Sequence, residues 1–226
     1  KTKSWSDALY HLLFVLRMIA IALIVVALAR PQTHSENAKT KITGGIDIVM
    51  AIDVSASMLS QDLKPNRFEA LKKVASQFVK DRPNDRIGLV IYAGESYTKT
   101  PVTTDKSIIL NALSEITYGQ IEDGTAIGMG LATAVNRLKE SKAKSRVIIL
   151  LTDGVNNTGF IDPQTAAELA AEYGIKVYTV GIGTNGMALS PYALNADGSI
   201  IYRMQQVDID EPLMKKIAQV TKGRYF

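Results

Sequence analysis

Residues 46–57 read IDIVMAIDVSAS, an apolar run that ends in one acidic residue and two serines. An apolar run of this length is typical of a strand that is buried on both faces of a parallel sheet. Asp53, Ser55 and Ser57 then follow at every second position, a spacing that turns the side chains of an extended segment toward one side. The stretch therefore predicts a central strand whose end presents three oxygen-bearing side chains.

Strand and helix patterns alternate along the rest of the chain. Strand patterns recur at 87–93, 96–100, 147–152, 175–182 and from Gly223, and helical patterns at 68–78, 105–116, 126–139, 163–173 and 211–220. This alternation predicts an α/β fold with a doubly wound, mostly parallel, six-stranded sheet. We expect the order 3-2-1-4-5-6, on the supposition that the first strand is central, with the second and third on one side and the fourth to sixth on the other. The short connection before the third strand predicts an antiparallel edge strand. Residues 185–207 predict a hairpin that turns at Asp197-Gly198.

Two further polar residues stand beside this predicted sheet. Thr125 directly precedes the helical pattern at 126–139, and Asp153 ends the strand at 147–152. In doubly wound sheets, ligands bind beyond the carboxyl ends of the strands, where the strand order reverses. The reversal falls here between the first and fourth strands. We therefore expect Asp53, Ser55, Ser57, Thr125 and Asp153 to converge on one site.

The chemistry of these five side chains favours a magnesium site. Carboxylate and hydroxyl oxygens are the ligands that Mg²⁺ prefers, and the ion usually keeps several waters; Mn²⁺ and Ca²⁺ are the alternatives. The chain has no cysteine, and His11 and His34 lie outside the predicted domain, so zinc is a poor candidate. A single Asp at a strand end is usually a turn or a helix cap. The metal hypothesis therefore depends on all five positions together.

The first segment is apolar enough for a membrane span. Residues 8–29 could cross a hydrocarbon core, although Arg17 interrupts them. The alternative is a shorter apolar run, 18–29, packed in a soluble core. We predict a transmembrane helix with flanks over residues 1–31, a linker over 32–44, and a folded domain over 45–226 that is truncated at its C-terminal end. This arrangement places residues 8–29 in a lipid bilayer.

The net charge of +4 indicates little about partners. Basic residues are densest at 137–146, where cations complement the C-terminal end of the predicted helix. Nucleic-acid sites usually carry aromatic residues among the basic ones, and this stretch has none. We interpret it as a solvated face and predict no nucleic-acid partner.

The five converging residues resemble the metal-ion-dependent adhesion site of von Willebrand factor A (VWA) domains. The resemblance runs from about residue 45 to the end of the chain. It implies a VWA fold, a Rossmann-like sheet of the order predicted above. It also implies that Ser55, Ser57 and Thr125 contact Mg²⁺ directly while Asp53 and Asp153 often act through water. An Asp or Glu from a protein partner would complete the coordination sphere.

A narrower resemblance connects the chain to BatA-type membrane proteins of bacterial aerotolerance operons. It is carried by ARPQ at 29–32, RIGLVIYAGE at 86–95, EDGTAIG at 122–128 and DGVNN at 153–157. The resemblance implies anchoring in the bacterial inner (cytoplasmic) membrane with the domain on the periplasmic side. Its implied partners are other VWA membrane proteins and a MoxR-type AAA+ ATPase, in stress tolerance or protein-complex assembly.

Three functions remain open on the sequence. We favour a non-enzymatic module that captures a partner carboxylate through Mg²⁺, with Met58, Glu95, Asn156 and Asn157 as the partner-binding rim. A Mg²⁺-dependent hydrolase is the second, but phosphatases typically need another carboxylate where Ser55 stands. A Ser-His-Asp hydrolase would need a histidine in the domain. A structural subunit with a permanently bound metal is the third. In each case, a pair between Arg67 and Asp62 would hold the loop after Ser57.

Overall fold

The structure is a computed structural model, and it describes residues 5–29, 45–153, 155–195 and 197–226. The chain divides into two units, with the division after Lys41. The predicted linker, 32–44, lies outside the described residues.

The first unit contains one long helix, α1, Trp5–Ala29. Within it, Leu9–Leu28 has a mean hydropathy of 2.6, and none of that window is buried. By length and composition this helix is long and apolar enough to cross a membrane. Apolar side chains exposed on every face are unfavourable in water and suit a hydrocarbon environment.

The second unit contains a five-stranded sheet. Its strands are β1 Asp47–Asp53, β2 Arg86–Tyr92, β3 Ser96–Thr103, β4 Arg146–Thr152 and β5 Lys176–Gly181. Their order is β3-β2-β1-β4-β5, with β1 parallel to both neighbours and β3 antiparallel at the edge. The predicted fold class, the order of these strands and the antiparallel edge are confirmed.

The predicted sixth strand is reduced to a single parallel bridge between Thr179 and Tyr225. Gly181 N donates to Phe226 O at 2.9 Å, and Phe226 N donates to Thr179 O at 2.9 Å. The segment therefore lies beside β5, where the sixth strand was expected. Only residues 224–226 take part in this pairing, so the count of six strands was wrong.

Helices cover both faces of the sheet and enclose two cores. They are α2 Arg67–Lys80, α3 Lys106–Glu115, α4 Ile127–Leu138, α5 Pro163–Glu172 and α6 Glu211–Val220. Alternate residues of β1 serve the two faces: Ile48, Met50 and Ile52 pack with α2 and α3, whereas Val49 and Ala51 pack with α4 and α5. All seven residues of β1 are buried, which explains its continuous apolar run.

The region between β5 and α6 forms the predicted hairpin. Its strands, β6 Gly186–Leu194 and β7 Ile200–Val207, pair antiparallel in a separate two-stranded sheet. The turn contains Gly198 at φ +82°, a conformation that glycine adopts without strain. The hairpin packs beside the loop after β1, because Ser190 Oγ lies 2.8 Å from Ser60 Oγ and Gln61 N donates to Leu189 O at 2.9 Å.

The N-terminal end of α4 requires a glycine at position 128. A Cβ at this position would lie 1.9 Å from the carbonyl oxygen of Ile161. We predict that Gly128→Ala lowers the free energy of unfolding by about 1–3 kcal/mol, because the backbone must shift. The exposed Asn136→Ala on the same helix should be neutral or slightly stabilising, since alanine favours helices. Urea denaturation compares the two variants, and a Gly128→Ala variant as stable as the parent would contradict this packing.

Candidate functional site

Asp53 is held at the end of β1 with its side chain fully buried. Its Oδ1 accepts hydrogen bonds from Ser55 N at 2.9 Å and Ser55 Oγ at 2.6 Å. Its Oδ2 accepts from Thr152 Oγ1 at 2.6 Å, across the β1–β4 pair. Both oxygens are therefore fixed before any ligand binds, one by the loop after β1 and the other by the neighbouring strand.

The two serines lie where the chain leaves β1 and enters a short 3-10 helix, Ala56–Leu59. Ser55 Oγ and Ser57 Oγ are 3.0 Å apart. Ala56 N, an amide that has no partner within this helix, donates to Asp123 Oδ1 at 2.9 Å. The Asp123 carboxylate thus connects the serine loop to the segment that carries Thr125. The neighbouring Gly124 by itself would indicate only that Asp123 forms a turn.

Thr125 is positioned by two asparagines from the loop after β4. Asn157 Oδ1 accepts from Thr125 N at 2.8 Å, and Asn157 N donates to Thr125 O at 3.1 Å. Asn156 Oδ1 accepts from Ile127 N at 2.9 Å, which satisfies a free amide at the start of α4. The adjacent amides therefore clamp the threonine loop against the end of β4.

Asp153 follows β4 and is 2% exposed. Its Oδ2 accepts from Arg67 Nη1 at 3.2 Å. The same guanidinium binds Asp62 twice, through Nε at 2.8 Å and Nη2 at 2.9 Å. The sequence indicated the pair with Asp62 but not the contact with Asp153. Arg67 thus brings a buried positive charge to the site.

One cavity of about 270 Å³ brings three of the five predicted ligands together: Ser57, Thr125 and Asp153. The other two, Asp53 and Ser55, are joined to it by the Ser55–Ser57 and Ser55–Asp53 contacts. Arg67, Asn157 and residues of the hairpin complete the lining. A larger groove, about 680 Å³, lies on the α2 face of the sheet, is lined mainly by apolar side chains, and contains none of the predicted ligands.

The electrostatics of this cavity favour a bound cation. The pKa of Asp53 is raised from 3.8 to about 7, chiefly by burial and next by the nearby Asp153 carboxylate, against the hydrogen bonds from Ser55 and Thr152. Two carboxylates and three hydroxyls form an all-oxygen donor set, and among the described residues no group of three or more His, Cys, Asp or Glu is arranged to hold a metal ion without such hydroxyls. This set fits a hard divalent cation that retains several waters.

Tyr92 adds a buried hydroxyl that the sequence did not single out. It pairs with Asp53 in the β1–β2 register, and its side chain is fully buried. Burial raises its pKa well above the ordinary value, and the charges of Asp53 and Asp153 raise it further. Tyr92 therefore stays protonated beside the site. The Tyr92 ring packs against Gly130. A Cβ added at Gly130 would lie 2.4 Å from Cδ1 of the ring.

The predicted rim requires one correction. Met58 is fully buried and packs in the core between the sheet and α2, because the 3-10 helix turns its side chain inward. It cannot contact a partner. Glu95 is exposed, Asn156 is half-buried, and Asn157 is both exposed and part of the cavity lining.

A family model of the von Willebrand factor type A domain matches residues 47–225. The chain belongs to the von Willebrand factor type A family. An uncharacterized protein of Borreliella burgdorferi is 34% identical over 221 residues, covering 97% of this chain and 64% of that protein. The chain thus spans less than two-thirds of the length of this relative.

Two solved structures support the resemblance to Bat-type membrane proteins. An aerotolerance-related membrane protein from Bacteroides fragilis is 30% identical with a TM-score of 0.70, covering 80% of this chain and 90% of that one. The conserved hypothetical protein BatB from Bacteroides thetaiotaomicron is 33% identical with a TM-score of 0.70, covering 80% of this chain and 89% of that one. The resemblance to membrane VWA proteins of the Bat type is confirmed, and together with α1 it indicates a membrane-anchored protein.

The buried Arg67 generates a test of the site's charge balance. Arg67→Gln should lower the free energy of unfolding by about 3–5 kcal/mol, because Asp62 and Asp153 lose their buried counter-ion. Arg82→Gln breaks the more exposed pair with Asp85 and should cost at most about 1 kcal/mol. Both are measured by denaturant titration in chelator. Equal losses in the two variants would show that Arg67 is not needed to balance the buried carboxylates.

Proposed function

We propose that this VWA domain binds Mg²⁺ at Asp53, Ser55, Ser57, Thr125 and Asp153 and uses the ion to capture an acidic side chain of a protein partner. The observation that carries the proposal is the single cavity in which Ser57, Thr125 and Asp153 meet beside the buried Asp53. Mn²⁺ and Ca²⁺ share this preference for oxygen and are the alternative ions.

Each side chain has a distinct part in this proposal. Ser57 and Thr125 offer hydroxyl oxygens directly to the cavity. Asp53 and Asp153 supply two negative charges that offset the charge of a divalent ion. Ser55 donates to Asp53 and contacts Ser57, so its hydroxyl fixes two other groups of the site as well as offering an oxygen. Since Mg²⁺ prefers six oxygens, water and one partner carboxylate have room in its coordination sphere.

The groups around the cavity would select the partner. Asn157 is exposed at its edge, and the hairpin contributes Gln205, Gln206 and Asp208 to its lining. The amide side chains of Asn157, Gln205 and Gln206 can donate and accept hydrogen bonds, whereas the Asp208 carboxylate only accepts them. A partner carboxylate at the ion would therefore be recognised together with the amides beside it. Glu95 and Asn156 remain part of the proposed rim, whereas Met58 does not.

We also propose the cellular setting that the Bat-type relatives suggest. Residues 8–29 would span the bacterial inner membrane, with the domain on the periplasmic side. Its partners would be other VWA membrane proteins and a MoxR-type AAA+ ATPase, in stress tolerance or protein-complex assembly. The role would be binding rather than catalysis, in keeping with VWA domains, which are generally protein-interaction modules.

The metal half of this proposal is tested by linkage between Mg²⁺ and stability. Mg²⁺ at 100 times its Kd should stabilise the protein by about 2.7 kcal/mol. Asp53→Asn should lose this response. In chelator it should be at least as stable as the parent, because an amide removes the repulsion from Asp153. Asp81→Asn, an exposed substitution at the end of α2, is the matched control and should respond like the parent. Thermal unfolding with added Mg²⁺ measures the shift, and a full response in Asp53→Asn would refute the site.

The partner half is tested by capture from detergent-solubilised membranes with the tagged full chain. Capture should occur with Mg²⁺, disappear in EDTA and disappear in Asp53→Asn, because the partner carboxylate binds the ion. Asp81→Asn should capture as the parent does. If EDTA lowers the melting temperature but leaves capture unchanged, the metal is an internal structural ion and the capture mechanism is wrong.

A further inference from the structure

The two ends of the sheet in residues 45–226 differ in the charged side chains that they carry. The domain contains equal numbers of basic and acidic residues. The metal-site end carries Asp53, Asp62, Asp123 and Asp153, with Arg67 as the buried cation among them. The opposite end, where the parallel strands begin, carries exposed basic residues. The domain is therefore electrically polar although its net charge is zero.

The basic end is formed by residues from separate parts of the sequence. We define it by five residues: Lys142, Lys144, Arg146, Lys176 and Lys222. β4 begins at Arg146 and β5 at Lys176, and Lys176 pairs with Val147 in the register of the two strands. Lys176 and Lys222 lie at the same groove as Ser145, which connects them to the loop that carries Lys142 and Lys144.

These basic residues are not neutralised locally. Among the described residues, no salt bridge involves any of the five, and all except the half-buried Arg146 are exposed. The acidic neighbours are otherwise engaged, since Asp47 is buried against Arg86 and Asp85 pairs with Arg82. The exposed Asp81, Glu140 and Glu172 offset only part of the charge.

Helix ends account for only part of this arrangement. Cations in the last turn of a helix complement its dipole, which explains Lys80 in α2 and Arg137 in α4. The five residues of the basic end lie in loops, at strand starts or beyond a helix end. The five residues together form an exposed basic surface that a partner with negative charge would complement.

The chain enters the domain at this same end. Asp47, the first residue of β1, donates from its amide to Ser145 O at 3.1 Å, next to Lys144 and Arg146. Residues 30–46 connect α1 to this point, and a chain of that length reaches at most roughly 60 Å at about 3.3–3.6 Å per residue. An anchored α1 would therefore leave the basic end within reach of a bilayer surface.

We propose that the basic end binds the anionic lipid headgroups of the membrane to which the protein is anchored. Each Lys or Arg held near an anionic surface strengthens the interaction roughly fivefold. The attraction acts within a Debye length of about 10 Å at 0.1 M salt. Docking in this way turns the metal-site end away from the bilayer, where a partner has access. The inference does not depend on a bound metal.

The test uses the full chain in nanodiscs, in EDTA. Because the chain has no cysteine, a single Asn84→Cys substitution places one fluorophore in the exposed turn before β2, beside the chain entry at Gly45. Gln120→Cys, in the segment leading to Asp123, labels the metal-site end. A headgroup-labelled quencher lipid then reports proximity. Quenching at position 84 should be several-fold stronger in phosphatidylglycerol-containing discs than in pure phosphatidylcholine discs, while position 120 should show little quenching in either.

Two charge-reversal variants with the same net charge distinguish an effect of the basic end from an effect of the overall net charge. Lys142→Glu, Lys144→Glu and Lys176→Glu combined should abolish the phosphatidylglycerol-dependent quenching at position 84. The matched control reverses three exposed lysines elsewhere, Lys64, Lys73 and Lys216, and should keep most of it. Salt at about 1 M, where the Debye length is about 3 Å, should remove the effect.

The proposal is overturned if quenching at position 84 is equal in the two lipids or if both triple variants lose it equally. Retention of the full chain on duplex DNA, with no lipid-dependent quenching, would assign the basic end to nucleic acid and also overturn it.

Discussion

The architecture depends on placing two carboxylates, a hundred residues apart in sequence, side by side at the ends of parallel strands. β1 lies between β2 and β4, and parallel pairing brings the carboxyl ends of all three to one edge of the sheet. Asp53 and Asp153 follow from this register, and both are buried. Buried carboxylates are costly unless they are paired or hydrogen-bonded. Here the compensation comes from Thr152 and Ser55 at Asp53, and from the Arg67 guanidinium at Asp153.

These contacts compensate only part of the buried negative charge. The uncompensated part suits the site to a cation. Arg67 divides its charge between Asp62 and Asp153, whereas Asp53 has only neutral donors. The raised pKa of Asp53 reflects its burial first and the uncompensated charge of Asp153 second, and both express this deficit of positive charge. A divalent cation among the hydroxyls of Ser57 and Thr125 would remove the deficit. The opposite end of the sheet, where the strands start, carries the exposed Lys142, Lys144, Lys176 and Lys222, and its Asp47 and Asp85 are paired with arginines.

The sequence predicted the features that depend on local pattern. The apolar run of β1, the strand order and the short connection to the antiparallel β3 all followed from periodicity and connection length. Features that depend on loop geometry could not be predicted in this way. The contacts of Asp123 with Ala56, Asn157 with Thr125 and Arg67 with Asp153 join loops far apart in sequence, and nothing in their local spacing indicates them. Met58 was misplaced for the same reason, since only the 3-10 helix reveals that its side chain turns into the core.

The central claim is that one divalent ion binds where the β1 and β4 ends meet the Thr125 loop. The most direct measurement is the anomalous difference density of the crystallised protein soaked with Mn²⁺, an ion that shares the oxygen preference of Mg²⁺. The account predicts one strong peak in the cavity between Ser57, Thr125 and Asp153, at about 2.0–2.3 Å from the two hydroxyl oxygens. A cavity without a peak at saturating Mn²⁺, or a peak bound only by other carboxylates such as Asp62 or Asp208, would contradict it.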